Sequence, residues 1–327
     1  MVNERATIIC ILKILQECSD EKHIMPMREI LLKLRVIYDI EVDRRTVYSA
    51  IELLIDLKYN ISVYKQNHKG YFLKERIFTL PEIRLIMDSL YNFQGITSNH
   101  TKILVSKLQS TLSIYERRKY KNLIGIQSQM KTQNNQDFIN IELIDNAISE
   151  KCKIRFTYLE YGFDKRLKPR RAEKYLVNPY GLICANEHYY LVCNYDAYDD
   201  ISHYRIDRIC DIELTSERIK PIVKGFDIRD FSRKSIYMFS GEEEAISIRC
   251  DNHILNDVLD KFGLDVIVTP NSDGTFTARF KALTRGMKFW ALQYLPYCEV
   301  LEPDWLRGEI IESIGLNKYN LNNPSAK

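Results

Sequence analysis

At 327 residues the chain has the length of about two domains, and its 45% apolar share is that of an ordinary folded protein, which excludes a disordered or fibrous molecule. No uncharged apolar run approaches the ~18 residues of a membrane span, and Glu4 and Arg5 stand where a signal peptide would exclude acids, so a cytoplasmic protein with no membrane partner is expected. The net charge of +3 names no partner by itself, and the eight cysteines never form C-x-x-C, so they read as buried, reduced thiols and no metal or other cofactor is expected.

In chain order, the apolar positions Ile8, Ile11, Leu12 and Leu15 recur at helical spacing and predict a first helix. Pro26 can open a second, with Ile30, Leu31 and Leu34 inward. Asp43 can cap a third whose inner stripe is Val47, Ala50, Ile51 and Leu54. The outer face of that helix carries Arg44, Arg45, Thr46, Tyr48 and Ser49. Two short apolar runs, Ile61 to Tyr64 and Tyr71 to Leu73, flank a basic turn with Lys65, His68, Lys69 and Gly70 and predict a hairpin. Three helices followed by a basic hairpin predict a winged helix-turn-helix over residues 1–77. Its third helix offers arginine forks to guanine edges and phosphates of double-stranded DNA, and hydroxyls to phosphates. Asp39, Glu41, Asp43 and Glu52 nearly balance the local charge, so affinity would lean on dimerisation.

A helical linker suited to dimerisation is expected over 78–137. It opens with the capping sequence Thr79-Leu80-Pro81-Glu82 and continues as a helix from Asn99 through Ile103, Leu104, Leu108, Leu112 and Tyr115 to the basic cluster Arg117, Arg118, Lys119 and Lys121. Gln127 to Asp137 has almost nothing apolar to bury and reads as a linker or exposed loop. Close-spaced strand runs then predict a small β-barrel over 138–220: Cys152 to Tyr158, Tyr175 to Val177, Gly181 to Ala185, His188 to Tyr195, His203 to Ile206 and Ile209 to Leu214. Residues 236–320 alternate strands and helices, which is α+β.

In the barrel, strict alternation puts His188, Tyr190 and Val192 on one face and Tyr189, Leu191 and Cys193 on the other. Taken alone, Tyr189 and Leu191 read as core and Arg208 as the partner of Asp207 or Asp211. The basic run Lys165 to Arg171 reads equally as a solvated loop or a nucleic-acid contact. An enzyme with a DNA-binding arm would need a glycine-rich nucleotide loop, and neither G-x-G-x-x-G nor G-x-x-x-x-G-K-[ST] occurs, so no catalysis is expected. The acidic run Glu242 to Glu244 reads as a solvated strand edge, and a protein-contact module that does not read DNA remains the other reading.

The succession Asn178-Pro179-Tyr180-Gly181-Leu182, Tyr189-Tyr190-Leu191 and Tyr204-Arg205-Ile206-Asp207-Arg208-Ile209 resembles the WYL domain, with Tyr189 at the family's tryptophan position. Asp43 to Leu54 resembles the recognition helix that precedes WYL domains in bacterial winged-helix regulators. Trp290-Ala291-Leu292 and Val300 to Arg307 resemble the C-terminal extension of those proteins. The resemblance implies a homodimeric transcriptional regulator with an SH3- or Sm-like barrel as sensor, dimerising through the linker helices and the extension. It also implies a nucleic-acid or nucleotide-like ligand at Tyr190, Arg205 and Arg208, with Tyr180 and His188 as neighbours.

Overall fold

A computed structural model describes residues 6–120, 131–222, 227–228 and 243–316. Glu4, Arg5, Lys121, Gln127 to Met130 and Glu242 lie outside the described residues. The chain divides into two compact units, one through Gln133 and one from Asn134.

In the first unit α1 (Thr7–Cys18), α2 (Met27–Tyr38) and α3 (Arg44–Asp56) enclose a core of Ile11, Ile14, Leu15, Ile30, Leu34, Val47 and Ile51. Asp39 ends α2 in the left-handed region, with the Asp39 and Ile40 amides returning to the Arg35 and Leu34 carbonyls. Asp43 then caps α3 by accepting from the Thr46 amide at 2.8 Å.

The expected hairpin is shorter than its apolar runs suggest. β1 (Ile61–Ser62) pairs antiparallel with β2 (Phe72–Leu73), and between them Tyr64–Asn67 forms one helical turn, α4. The Asn67 side-chain amide holds the loop from α4 to β2, donating to Ser62 Oγ and the Gly70 carbonyl and accepting from the Lys69 and Gly70 amides. A bridge from Met25 to Tyr71 widens the pair, and Gly70 lies so close to it that a Cβ there would sit 2.2 Å from the Met25 carbonyl oxygen.

The remainder of this unit is α5 (Leu80–Asn92), α6 (Ser98–Ser110) and α7 (Ile114–Lys119). The long helix expected from Asn99 through Tyr115 breaks at Thr111. Ser113 caps a new helix together with Glu116, and Arg76 donates to the carbonyls of Gln16, Ser19 and Thr111, so the broken turn keeps its hydrogen bonds.

The second unit opens with α8 (Asp137–Glu150). Polar residues make the junction: Asn134 and Asn140 amides both donate to the Ile209 carbonyl. Asn134, three residues before Asp137, is therefore held by hydrogen bonds to the Asp207 and Ile209 carbonyls. Six strands follow: β3 (Cys152–Tyr161), β4 (Leu167–Pro169), β5 (Tyr175–Ala185), β6 (His188–Asn194), β7 (Ser202–Arg205) and β8 (Ile209–Arg218). The order β4-β3-β5-β6-β7, with β8 also on β3, curls into a half-barrel. A single 3-10 turn, Ile206–Arg208, joins the distant strands β7 and β8. α8 covers the hollow, packing Ile144 and Ala147 with Ile154, Phe156, Val177, Leu191 and Ile209. The runs expected as two strands at Tyr175 and Gly181 are one strand, kinked by a bulge at Tyr180.

The same unit ends in β9 (Glu243–Asp251), α9 (Leu255–Phe262), β10 (Ile267–Pro270), β11 (Thr275–Leu283), α10 (Thr284–Gln293), β12 (Cys298–Glu302) and α11 (Asp304–Gly315). The sheet order β10-β11-β9-β12 is that of a split βαβ arrangement, its core built on Ile248, Val258, Phe276, Met287 and Trp290. Six of the eight cysteines are buried; Cys184 is exposed and Cys210 half-buried, because β5 and β8 turn those positions toward solvent.

Candidate ligand and nucleic-acid sites

The half-barrel brings His188, Arg205 and Asp207 together where β6, β7 and the 3-10 turn meet. Tyr190 on β6 lies directly opposite Arg205 on β7. The chain turns sharply after Arg205, which brings Asp207 back against it: Arg205 Nε donates to Asp207 Oδ1 at 3.0 Å and Nη2 to Oδ2 at 2.8 Å, a two-pronged pair. The same Nη2 lies 3.1 Å from His188 Nδ1. Since an arginine only donates, Nδ1 accepts, and the imidazole carries its proton on Nε2. Burial first, and then the neighbouring Arg205 charge, lower the His188 pKa to about 4, so the ring is neutral at physiological pH.

Arg208 does not pair with Asp207 as its sequence position suggests, because Arg205 occupies that carboxylate. Its guanidinium carbon lies instead 5.7 Å from the Tyr161 ring centre, and its Nε is buried with no hydrogen-bond partner. Tyr158, buried beside both arginines, has its phenol pushed up by burial. The site thus offers one committed arginine, a second arginine with an unmet donor, and a neutral imidazole. Such a set suits an anion with an aromatic portion.

The alternation in β6 holds: Tyr189, Leu191 and Cys193 face the α8 side, while Tyr190 and Val192 pack with Ile183, Ile201 and Ile228. His188 and Tyr190 are therefore buried, and their rings contribute walls more than open stacking faces.

Tyr180 belongs to a different network. The bulge directs its hydroxyl between Asn194 Oδ1 at 2.8 Å and the Lys220 carbonyl at 2.9 Å. The Asn178 amide donates to Asn194 Oδ1 and Asp196 Oδ1, and Lys153 bridges Asp196 at 2.6 Å and Glu217 at 2.8 Å. Both carboxylates raise the Lys153 pKa, which keeps this buried ammonium charged.

Tyr158 and Tyr161 join the site although the sequence does not single them out, and Asp207 joins it as the partner of Arg205 rather than of Arg208. Asp207 is legible as the third residue of Arg-x-Asp-Arg, but its choice of arginine is not. Tyr161 is not legible, because its exposure depends on β4, an edge strand whose Leu167-Lys168-Pro169 carries no apolar alternation.

In the first unit Arg44, Arg45, Thr46, Tyr48 and Ser49 are all exposed along the first two turns of α3. Thr46 Oγ1 donates to Asp43 Oδ1 at 2.7 Å, so its proton is committed to the cap and unavailable to a phosphate. Tyr48 stands edge-on to Tyr71 at 6.4 Å, and burial together with the Tyr48 hydroxyl pushes the Tyr71 phenol up to about 12. Lys65, His68 and Lys69 are exposed on and after α4. Glu41, one of the balancing acids, faces Arg35 at 3.5 Å. No helix among the described residues is long and apolar enough to cross a membrane, and no cluster of metal-ligating side chains occurs among them.

The WYL domain family model matches residues 140–214, and the WCX domain model matches residues 242–315. None of the curated proteins matches the chain. Among solved structures, proteasome accessory factor B/C (PafBC) of Arthrobacter aurescens aligns with 96% of the chain at 14% identity and a TM-score of 0.29. The chain spans 48% of that protein's length. A CRISPR Cas-related protein aligns with 97% of the chain and 84% of its own, at 14% identity and a TM-score of 0.36. With its curled half-barrel under the first match and its four-stranded α+β segment under the second, the chain is a WYL-domain protein whose WYL domain is followed by a WCX domain.

Proposed function

We propose that this protein is a homodimeric, cytoplasmic transcriptional regulator without catalytic activity. The first unit contacts a double-stranded operator, and the WYL half-barrel senses single-stranded nucleic acid or a nucleotide-like anion. The observation that carries this reading is the pairing of a WYL domain with the Arg205–Asp207–His188 cluster and the unmet donor of Arg208. The exposed arginines at the start of α3, preceded by a helix and a tight turn, support the DNA contact, with α4 and the short β1–β2 pair as the wing. Arg44, Arg45, Tyr48 and Ser49 are the base- and phosphate-facing set, Lys65, His68 and Lys69 the flanking contacts, and Thr46 serves the cap. In the half-barrel Arg208 and Arg205 hold the anion, with His188 and Tyr190 as walls and Tyr180 supporting the strand.

The test is Arg45→Ala. It leaves the fold intact, since Arg45 is exposed, and is expected to weaken operator binding by about 1–3 kcal/mol in a fluorescence-anisotropy titration. Unchanged affinity removes Arg45 from the interface.

A further inference from the structure

The hairpin that joins β3 to β4 holds an aromatic ring in water. Phe163 is fully exposed at its tip, forgoing the stabilisation that burying such a side chain contributes. The turn beneath it is closed on itself: the Gly162 amide donates to the Arg166 carbonyl at 3.0 Å, the Lys165 amide to the Gly162 carbonyl at 2.9 Å, and Lys168 meets Asp164 at 2.7 Å. Phe163 therefore projects from an ordered turn.

The hairpin is also continuous with the ligand site. Tyr161, two residues before Phe163 and 51% exposed, is the ring over which the Arg208 guanidinium lies. Residues 160–171 carry five cations, Lys165, Arg166, Lys168, Arg170 and Arg171, against the carboxylates of Glu160 and Asp164. Lys168 takes Asp164 and Arg170 faces Glu160 at 3.7 Å, which leaves Lys165, Arg166 and Arg171 without a carboxylate among the described residues, Arg171 lying over the Tyr175 ring at 3.6 Å. In chain order, Phe163, Lys165 and Arg166 thus follow directly on Tyr161, the ring that the Arg208 guanidinium covers. Successive bases and phosphates of a single strand have the matching chemistry, whereas a mononucleotide is too short to use it.

We infer that the β3–β4 hairpin is a stacking ledge that extends the Arg208 site, with Phe163 receiving a base beyond the first nucleotide, so that the site selects single-stranded oligonucleotides over mononucleotides. This rests on the reading of the half-barrel as a nucleotide-binding site.

The test titrates the full chain with 5′-phosphorylated oligothymidylates of one to eight nucleotides. Wild type is expected to bind the octamer more tightly than thymidine monophosphate. Phe163→Ala should lose about 5- to 150-fold in octamer affinity while monophosphate affinity and melting temperature stay unchanged, and Phe163→Trp should restore the octamer. Octamer binding by Phe163→Ala equal to wild type overturns the ledge, as does an equal loss for both probes. A change in oligomeric state with octamer affinity intact would place the tip against a second copy and also overturn it. Arg208→Ala separates the two levels: it should weaken both probes, and if wild type binds neither, or Arg208→Ala binds both normally, the site reading itself fails and the ledge with it.

Discussion

Replacing Asp207 by alanine is expected to destabilise the second unit by about 2–4 kcal/mol. Asp207 is only 5% exposed and holds Arg205 through two hydrogen bonds. Removing one partner of a fully buried ion pair costs about 3–5 kcal/mol, and the 25% exposure of the Arg205 side chain lowers the figure because solvent reaches the orphaned guanidinium. The neutral His188 can accept one hydrogen bond but cannot supply the lost charge, and Arg208 adds like-charge repulsion. For a unit of this size the melting temperature should fall by roughly 4–16 °C. Asp207→Asn, which keeps an acceptor oxygen, should fall less. A transition for the alanine variant within about 1 °C of wild type would show that solvent already screens the pair. Asp207 would then not be what holds Arg205 in place for the anion.

The second large effect is expected in the first unit. Alanine at Gly70 would place its Cβ 2.2 Å from the Met25 carbonyl oxygen, 2.6 Å from its carbon and 2.9 Å from Pro26 Cα. All three are backbone atoms, so no rotamer change relieves the overlap, and the bridge formed by the Met25 and Tyr71 amides at 2.9 and 2.8 Å must open. A loss of about 3 kcal/mol is expected, at the upper end for overpacking, read as a lower urea midpoint of the first unit. Since β2 and α4 pack beside this bridge, operator affinity should fall too, in proportion to the unfolded fraction rather than through a lost contact. An unchanged midpoint would mean that the β1–β2 pair moves freely against the Met25 backbone.

The features that can be read from sequence are those whose causes are local. The cap of α3 by Asp43 and the two faces of β6 follow from spacings of three and two residues, and both stand in the structure. The break of the linker helix at Thr111 is not legible, because Arg76, 35 residues earlier, supplies the hydrogen bond that makes it tolerable. The pairing of Asp207 with Arg205 rather than Arg208 depends on a 3-10 turn that alternation along a strand does not foresee. Tyr180 falls among the ligand residues by its place in the WYL pattern, yet a bulge ties its hydroxyl to Asn194 and the Lys220 carbonyl. The basic run Lys165 to Arg171 is ambiguous between loop and contact because β4 is a three-residue edge strand, and the setting of Phe163 is hidden with it.

The most direct measurement of the regulator as a whole is binding of the full chain to its upstream intergenic duplex across a salt series, with and without a single-stranded oligonucleotide. The expected result is affinity that falls linearly in log salt, exceeds that for a scrambled duplex, and changes by about 5- to 150-fold with the oligonucleotide, a change that Arg208→Ala removes while basal binding persists. Binding no better than to the scrambled duplex at every salt concentration, or operator binding indifferent to the oligonucleotide, would contradict a ligand-gated regulator.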